Sequence, residues 1–507
     1  MGTANRVVKN TGYLYIKMAV TVFISLWTTR LILNSLGASD FGIFNIVGGA
    51  IGMLGFLNGS LASATQRFMS FHQGAGDYQK ASQIFNISIA LHLFMSIIVA
   101  IALIIAGWFF FNGILNIPSN REFAAVIVYI SLIVSTVFTV MTVPYDATLN
   151  AHENMKYYAF VGILESMLKL AVAYVVIFSI QDKLVIYGIL MAGIPLITLT
   201  IMRLYCRKQY VECKVNIRKN WDSSVAREMV KFAGWSFLGS MSSLVGNYGG
   251  GIVVNHFFGA IANAAMGIAT QLNGQLLAFS TNMLKAINPV IIKKEGAHKG
   301  NEMLFVSYFG CKYSFLLFLP FVVPVVIEAP FVLKLWLKNV PEWAVLFTRM
   351  QLVRTLLEQL FTSMGTSLSA HGEIRQINTI SVFNNLAPIP VLIIMFLNGC
   401  SLTWFYIVII FFMVFLTSLS VLYYCHKLCN MKYAEYANNV LKPSIIVMVV
   451  CLMVSLMASN IMEEGLIRLI VTIILSFVAY CTAYYFTATN FELDYLKEIK
   501  KTILSKI

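Results

Sequence analysis

Charge is what this chain has least of. Only 11% of its 507 residues are Asp, Glu, Lys or Arg, against 59% that are hydrophobic. Soluble domains carry about 25% charged residues, so a water-soluble fold is excluded. The eight cysteines are scattered and set out no disulfide framework. Cys425 and Cys429 bracket His426, but no second ligand pair stands near enough to complete a metal site. The phosphate-cradling pattern GxxxxGK[ST] is missing, and so are HExxH and GxSxG. Direct ATP drive is therefore excluded, an enzyme site has no obvious home, and no cofactor is expected.

Long apolar windows are what the chain does have. A membrane-spanning helix needs roughly 20 apolar residues, and windows of that kind recur from Tyr13 to Phe486, with a mean hydropathy of +0.78. The first window is too long for a signal-peptide core and lacks an A-x-A-like site, so it reads as a retained span. The expectation is an all-α polytopic membrane protein of about 14 spans, near 13–34, 41–66, 84–111, 123–145, 157–180, 184–204, 232–255, 263–291, 304–328, 343–370, 376–397, 402–424, 443–460 and 466–487.

The net charge of +14 follows the spans rather than forming a nucleic-acid face. With the N-terminus inside, 26 of the 36 Lys and Arg fall on inner segments and six on outer ones: Arg30, Arg121, Lys183, Lys334, Lys338 and Arg468. That asymmetry places both termini in the cytoplasm. The basic segment 205–231 reads as a linker near anionic headgroups. The tail 488–507, with Leu496, Ile499, Ile503 and Ile507 at helical spacing among lysines, reads as an interfacial amphipathic helix.

A shift of 222 residues aligns Gly37-Ala38 with Gly259-Ala260 and Gly74-Ala75 with Gly296-Ala297 without a gap. Ile46/Ile268, Gly52/Gly274, Leu54/Leu276 and Ala64/Ala286 match between those anchors. Residues 1–204 and 232–424 therefore read as two homologous six-helix lobes around a central cavity, with two further helices in 425–487. Six is an even number, so the lobes insert in the same orientation. Parallel repeats of this sort belong to alternating-access transporters.

Ionisable residues inside spans face protein or a water-filled cavity. Arg30 lies near the outer end of span one, and Arg67 and Lys285 near inner ends. Glu165 and Lys169 stand four apart in span five, as do Arg354 and Glu358 in span ten, with Arg349 above them and Lys312 in span nine. Seven cations against two deep acids leave a positive excess, which points to an anionic cargo. Arginine suits phosphate oxygens through its forked donors. Glu165 and Glu358 are candidates for coupling transport to protons. A stripe of Asn45, Gly48, Gly52, Gly55, Gly59, Ala62 and Gln66 shares one face of span two, for close helix packing or a smooth cavity wall. Pro320 and Pro324, Pro388 and Pro390, and Gly249-Gly250-Gly251 mark three spans as sites of bending.

RLILNSLGASDFGIFNIVGG, SLASATQRFMSFHQGAGD and VPYDATLNAHENMKYYAFVGILESMLKL resemble bacterial polysaccharide flippases of the O-antigen type. These belong to the multidrug/oligosaccharidyl-lipid/polysaccharide exporter superfamily. The resemblance implies an undecaprenyl-pyrophosphate-linked oligosaccharide moved from the inner to the outer leaflet of the cytoplasmic membrane. It implies membrane lipids and polysaccharide polymerases or ligases as partners. Carried over by position, Arg30, Arg67 and Lys285 become headgroup contacts, with Lys169, Arg349 and Arg354 in looser correspondence. An ion-coupled multidrug exporter of the same superfamily is the first alternative, and should show acids exposed in its lobes. A membrane polymerase or glycosyltransferase is the second, and the outer loop Glu328–Glu342 is short for one.

Overall fold

The computed structural model describes residues 3–52, 55–114, 118–337, 339–489 and 492. Helices make up the described architecture, with no strand among those residues. In hydrocarbon every backbone N–H and C=O must be satisfied within the segment, and a continuous helix does this. The order is α1 (Thr3–Gly52), α2 (Gly55–Gly74), α3 (Tyr78–Phe109), α4 (Glu122–Ala151), α5 (Met155–Phe178), α6 (Lys183–Gln209), α7 (Ile217–Asn220) and α8 (Ser223–Gly296). It continues with α9 (Gly300–Ile327), α10 (Ala329–Leu337), α11 (Ala344–Gln359), α12 (Thr362–His371), α13 (Ile374–Leu386), α14 (Pro388–Leu397) and α15 (Trp404–Ile409). The last four are α16 (Thr417–Cys429), α17 (Tyr433–Tyr436), α18 (Lys442–Ile461) and α19 (Leu466–Thr487).

Among the described residues, 11 helices are long and apolar enough to cross a membrane. The difference from fourteen has identifiable causes. Span two crosses residues 53 and 54, which are not described, between the end of α1 and the more polar α2. Spans seven and eight run together as the 74-residue α8. Span ten is broken between α11 and α12 at Leu360 and Phe361. The Lys338 position, the tail beyond Ala488 except Thr489 and Glu492, and the side chains of Asn45, Gly52 and Gly55 in the small-residue stripe lie outside the described residues.

The 222-residue repeat reappears in the backbone. Gly37 breaks α1 with φ 79° and ψ 166°, and Gly259 breaks α8 with φ 80° and ψ −178°. Positive φ of that size is strained for any residue with a Cβ. Gly76 and His298, again 222 apart, share positive φ, and α3 and α9 begin at equivalent positions, Tyr78 and Gly300. The Gly74 and Gly296 anchors have a different job. A Cβ on Gly74 would overlap the carbonyl oxygen of Lys293, and a Cβ on Gly296 would overlap that of Phe71. Phe71 and Lys293 are themselves 222 apart, so the two contacts are one contact made twice.

The chain forms two compact units. The first is Met1–Met241 with Lys285–Lys299, and the second is Ser242–Leu284 with Gly300–Ile507. In the first unit, Ile43, Val47, Val128, Tyr129 and Leu184 lie in one buried cluster, and Ile32, Ala173 and Ile194 in another. Asp77, Asn154 and Asp182 accept backbone N–H groups at the starts of α3, α5 and α6, each satisfying donors that a helix start leaves open. Arg121 ties three loops together, donating Nε to Asp40 at 2.8 Å and Nη1 to Asp182 at 2.7 Å. That hydrogen bond holds the Asp182 carboxyl below the usual carboxylate range. At the opposite ends of these helices, Glu212 meets His152 at 2.6 Å and Gln73 at 3.1 Å. Buried Glu153 meets Lys293 at 2.9 Å.

The second unit packs around Val254, Ala265, Phe347, Leu392, Phe405 and Tyr406. Its bends fall elsewhere than the prolines and glycines suggest. Helix α9 runs unbroken through Pro320 and Pro324, because neighbouring groups compensate for the missing donors in a packed membrane helix. Gly249-Gly250-Gly251 also lie in continuous helix, where Cβ atoms would press on Ile389, Phe405 and Asn263. These glycines permit close packing, and Gly259 is where α8 turns. The break at Pro388, between α13 and α14, does fall where the sequence places it.

Candidate functional site

Two polar constellations stand out, one in each unit. In the first unit, Tyr158 is held one turn into α5 by the Asn154 cap. The Lys17 ammonium from α1 lies 4.2 Å from the centre of its ring, and the Lys285 ammonium from α8 lies 3.6 Å from it. Both distances are inside the range for cation–π attraction. Gly162, four residues after Tyr158, leaves the space through which Lys17 crosses α5, since a Cβ there would overlap Lys17 Cε. Asp146 of α4 supplies negative charge to both lysines, and Glu165 is within electrostatic reach of Asp146. Glu165 and Lys169 pair at 2.7 Å and both are 42% exposed.

The other residues singled out in this unit have separate settings. Arg30 is exposed. Arg67 is 7% exposed, with its guanidinium carbon 4.5, 4.9 and 5.6 Å from the rings of Phe68, Phe71 and Phe232. Glu228 and Glu295 supply opposite charge to it. The structure thus brings Lys285 together with Lys17, Asp146 and Tyr158, and brings neither Arg30 nor Arg67 into that group. Lys17 escapes the sequence reading because it sits about one turn inside span one, and Asp146 because it falls just past the end of span four. Lone charges within otherwise apolar windows were the available signal.

In the second unit, a cavity of about 1170 Å³ is lined from α8, α11 and α15. Arg354 and Glu358 meet there at 2.9 Å, and Arg354 Nη1 donates to Asn247 Oδ1 at 3.3 Å. Six carboxamides line it: Asn247, Asn255, Asn263, Gln271, Asn273 and Gln351. Glu358 is its single acid among the described lining residues, and Arg354 and His256 are its basic groups.

The remaining intramembrane cations of this unit are engaged in structural contacts. Arg349 donates to the carbonyls of Val326 and Ile327 at 2.8 and 3.2 Å, closing the end of α9. Lys312 meets both carboxylate oxygens of Glu492 at 2.9 Å. Burial pushes the Glu492 carboxyl up, and the Lys312 hydrogen bond and Thr489 amide outweigh this, so it is held below the usual range. With Lys17 added to the cations and Asp146 and Glu492 added to the acids that face them, the positive excess is one smaller than the sequence tally. Among the described residues no group of three or more His, Cys, Asp or Glu is placed to hold a metal ion. His426 Nδ1 lies 2.7 Å from the Met431 carbonyl, and Cys425 Sγ donates to the Met364 carbonyl.

The family model described as MatE matches residues 14–175. No curated protein matches the chain. Among solved structures, a MATE in the bent conformation is similar, with a TM-score of 0.74 at 15% identity over 86% of this chain and 98% of the other. The outward-facing form of a multidrug resistance MATE family transporter of the MOP superfamily gives 0.72 at 15% identity, covering 85% and 97%. A MOP superfamily transporter from Pyrococcus furiosus, described with a binding pocket of reverse polarity that suggests a different function, gives 0.72 at 15%, covering 85% and 98%. The fold is that of the MATE transporters. It is a multi-pass membrane fold of two lobes, and the proteins that share it are transporters rather than enzymes.

Proposed function

We propose that this chain is an alternating-access transporter that moves a lipid-linked, anionic oligosaccharide, of the undecaprenyl-pyrophosphate type, between membrane leaflets. The observation that carries the reading is the pair of ammonium groups, Lys17 and Lys285, converging on Tyr158. Two cations gathered at one aromatic ring from separate helices suit an anionic headgroup. In this reading the transporter sits in the bacterial inner membrane with both termini cytoplasmic, and Glu165 and Glu358 are the acids placed to couple an ion gradient.

A multidrug exporter is the second reading, and the comparisons lean toward it, because the similar structures include a multidrug resistance transporter. The second-unit cavity speaks against an organic-cation cargo, since its single acid among the described lining residues is paired with Arg354. The test is reconstitution in vesicles. A fluorescent undecaprenyl pyrophosphate bearing an oligosaccharide should change leaflet in the presence of the wild type, and at least tenfold more slowly with Lys285→Met. Transport of ethidium with no lipid movement, with or without an imposed ion gradient, would establish the exporter instead.

A further inference from the structure

The second-unit cavity contains more hydrogen-bonding capacity than the fold uses. A side-chain amide has two donors and an acceptor oxygen, and in a membrane-spanning helix such groups are expensive unless partnered. Six of them converge on one cavity here. Five come from both arms of α8, because the turn at Gly259 lets each arm present one face, and Gln351 comes from α11. Asn247, Gly251 and Asn255 line up at spacings of four before the turn, and Asn263, Gly267 and Thr270 at four and three after it. Asn273 is the most telling. Its side chain is 7% exposed, and Oδ1 has no hydrogen-bond partner among the described residues. Buried acceptors are nearly always satisfied, so Asn273 keeps an unused acceptor at the cavity wall.

We infer that the cavity binds the uncharged glycan portion of the cargo, through hydrogen bonds from Asn263, Gln271, Asn273 and Gln351 to sugar hydroxyl and N-acetyl groups. The inference rests on the reading of the cargo as a lipid-linked oligosaccharide, and gives the second unit the task of recognising the sugar. Carboxamides donate and accept at once, which suits hydroxyls and amides. An acyl chain would call for an apolar wall, and an organic cation for a free acid. The volume exceeds the roughly 300–1,000 Å³ of drug-sized pockets, which leaves room for several sugar rings. Exposed Tyr248 on the same wall offers a ring face to the C–H side of a sugar.

The experiment compares two fluorescent polyprenyl diphosphates in vesicles containing the full chain, one bearing an N-acetylated tetrasaccharide and one a single N-acetylated sugar. In Asn273→Leu and in Gln271→Leu, transfer of the tetrasaccharide probe should fall at least tenfold, and that of the single-sugar probe less than twofold. Gln271 is exposed to the cavity, so its variant keeps the test alive if the buried Asn273→Leu fails to fold. Unchanged transfer of both probes, or equal loss of both in a folded variant, would overturn the glycan site while leaving the lipid-linked cargo standing. A wild type that moves neither probe would overturn the cargo reading itself, and the glycan site with it.

Discussion

The two units share a repeat and set some of their intramembrane cations in different surroundings, although each also holds a buried ion pair, Lys293 with Glu153 in the first and Lys312 with Glu492 in the second. In the first, Lys17 and Lys285 lie against the ring of Tyr158 and Arg67 lies beside three phenylalanines, with Asp146, Glu228 and Glu295 supplying opposite charge. In the second, Arg354 meets Glu358, Lys312 meets Glu492, Arg468 meets Glu328, and Arg349 closes a helix end. A ring stabilises a cation without neutralising it, so two ammonium groups with one shared acid, Asp146, leave a positive balance at Tyr158. A close carboxylate cancels it. Equivalent scaffolds can therefore present different chemistry, one inviting an anion and the other a neutral polar ligand.

The sharpest way to break the comparison is to open an ion pair in the second unit. Glu328 is fully buried and accepts from Arg468 at 2.8 Å and from Thr472 at 3.2 Å. Arg468→Leu should destabilise by about 3–5 kcal/mol, because it leaves a buried carboxylate alone. Adding Glu328→Leu should recover most of that loss in thermal melts. A single variant as stable as wild type would show that the pair does not hold the second unit together.

Next in size come the paired glycines. Gly74→Ala and Gly296→Ala should each cost about 1–3 kcal/mol, since the obstacle is backbone and cannot swing aside. Gly193→Ala, where a Cβ meets nothing within 4 Å, should be neutral or slightly stabilising, by up to about 1 kcal/mol. Similar melting temperatures for all three variants would remove the case for a close approach.

Tyr158→Leu tests the ring-held cations and should cost about 1–2 kcal/mol. It should also weaken binding of inorganic pyrophosphate, measured by calorimetry, whereas Tyr406→Phe should leave that binding unchanged. Equal effects from both would show that the ring does not organise the lysines.

The smallest effect concerns acid. Burial raises the Glu212 carboxyl, but the hydrogen bond from His152 and other donors outweighs it, so the folded value lies below the ordinary one. A depressed carboxylate stabilises the fold above its unfolded pKa, about 4.3. That contribution is lost as pH falls from there through the folded value. Glu212→Gln should therefore flatten the decline in melting temperature below about pH 4.5. An unaltered slope would remove Glu212 from the acid response.

Much of this was legible in the residues. The apolar windows gave the helices, and the Gly37/Gly259 and Gly74/Gly296 anchors gave the repeat, because backbone demands at those places admit little but glycine. The i,i+4 pairs Glu165/Lys169 and Arg354/Glu358 were readable for the same local reason. The pairing of Lys312 with Glu492, 180 residues on, was not, nor that of Arg468 with Glu328. Such partners are chosen by packing, which no spacing rule records. Pro320 and Pro324 misled because a packed neighbourhood can absorb a missing donor. Of the rings beside Arg67, those at 68 and 71 are local, and the one at 232 is brought in by packing.

The doubled glycine contact also bears on descent. When residue i of one copy meets residue j of another, and j meets i, the patch is self-complementary, as at the interface of a two-fold homodimer. Phe71 with Gly296, and Lys293 with Gly74, are that arrangement written within one polypeptide. A half-length ancestor carrying a single copy would have made both contacts from one gene, with one glycine serving each side. Such a fusion would leave the copies free to diverge elsewhere, while this seam kept its glycine twice.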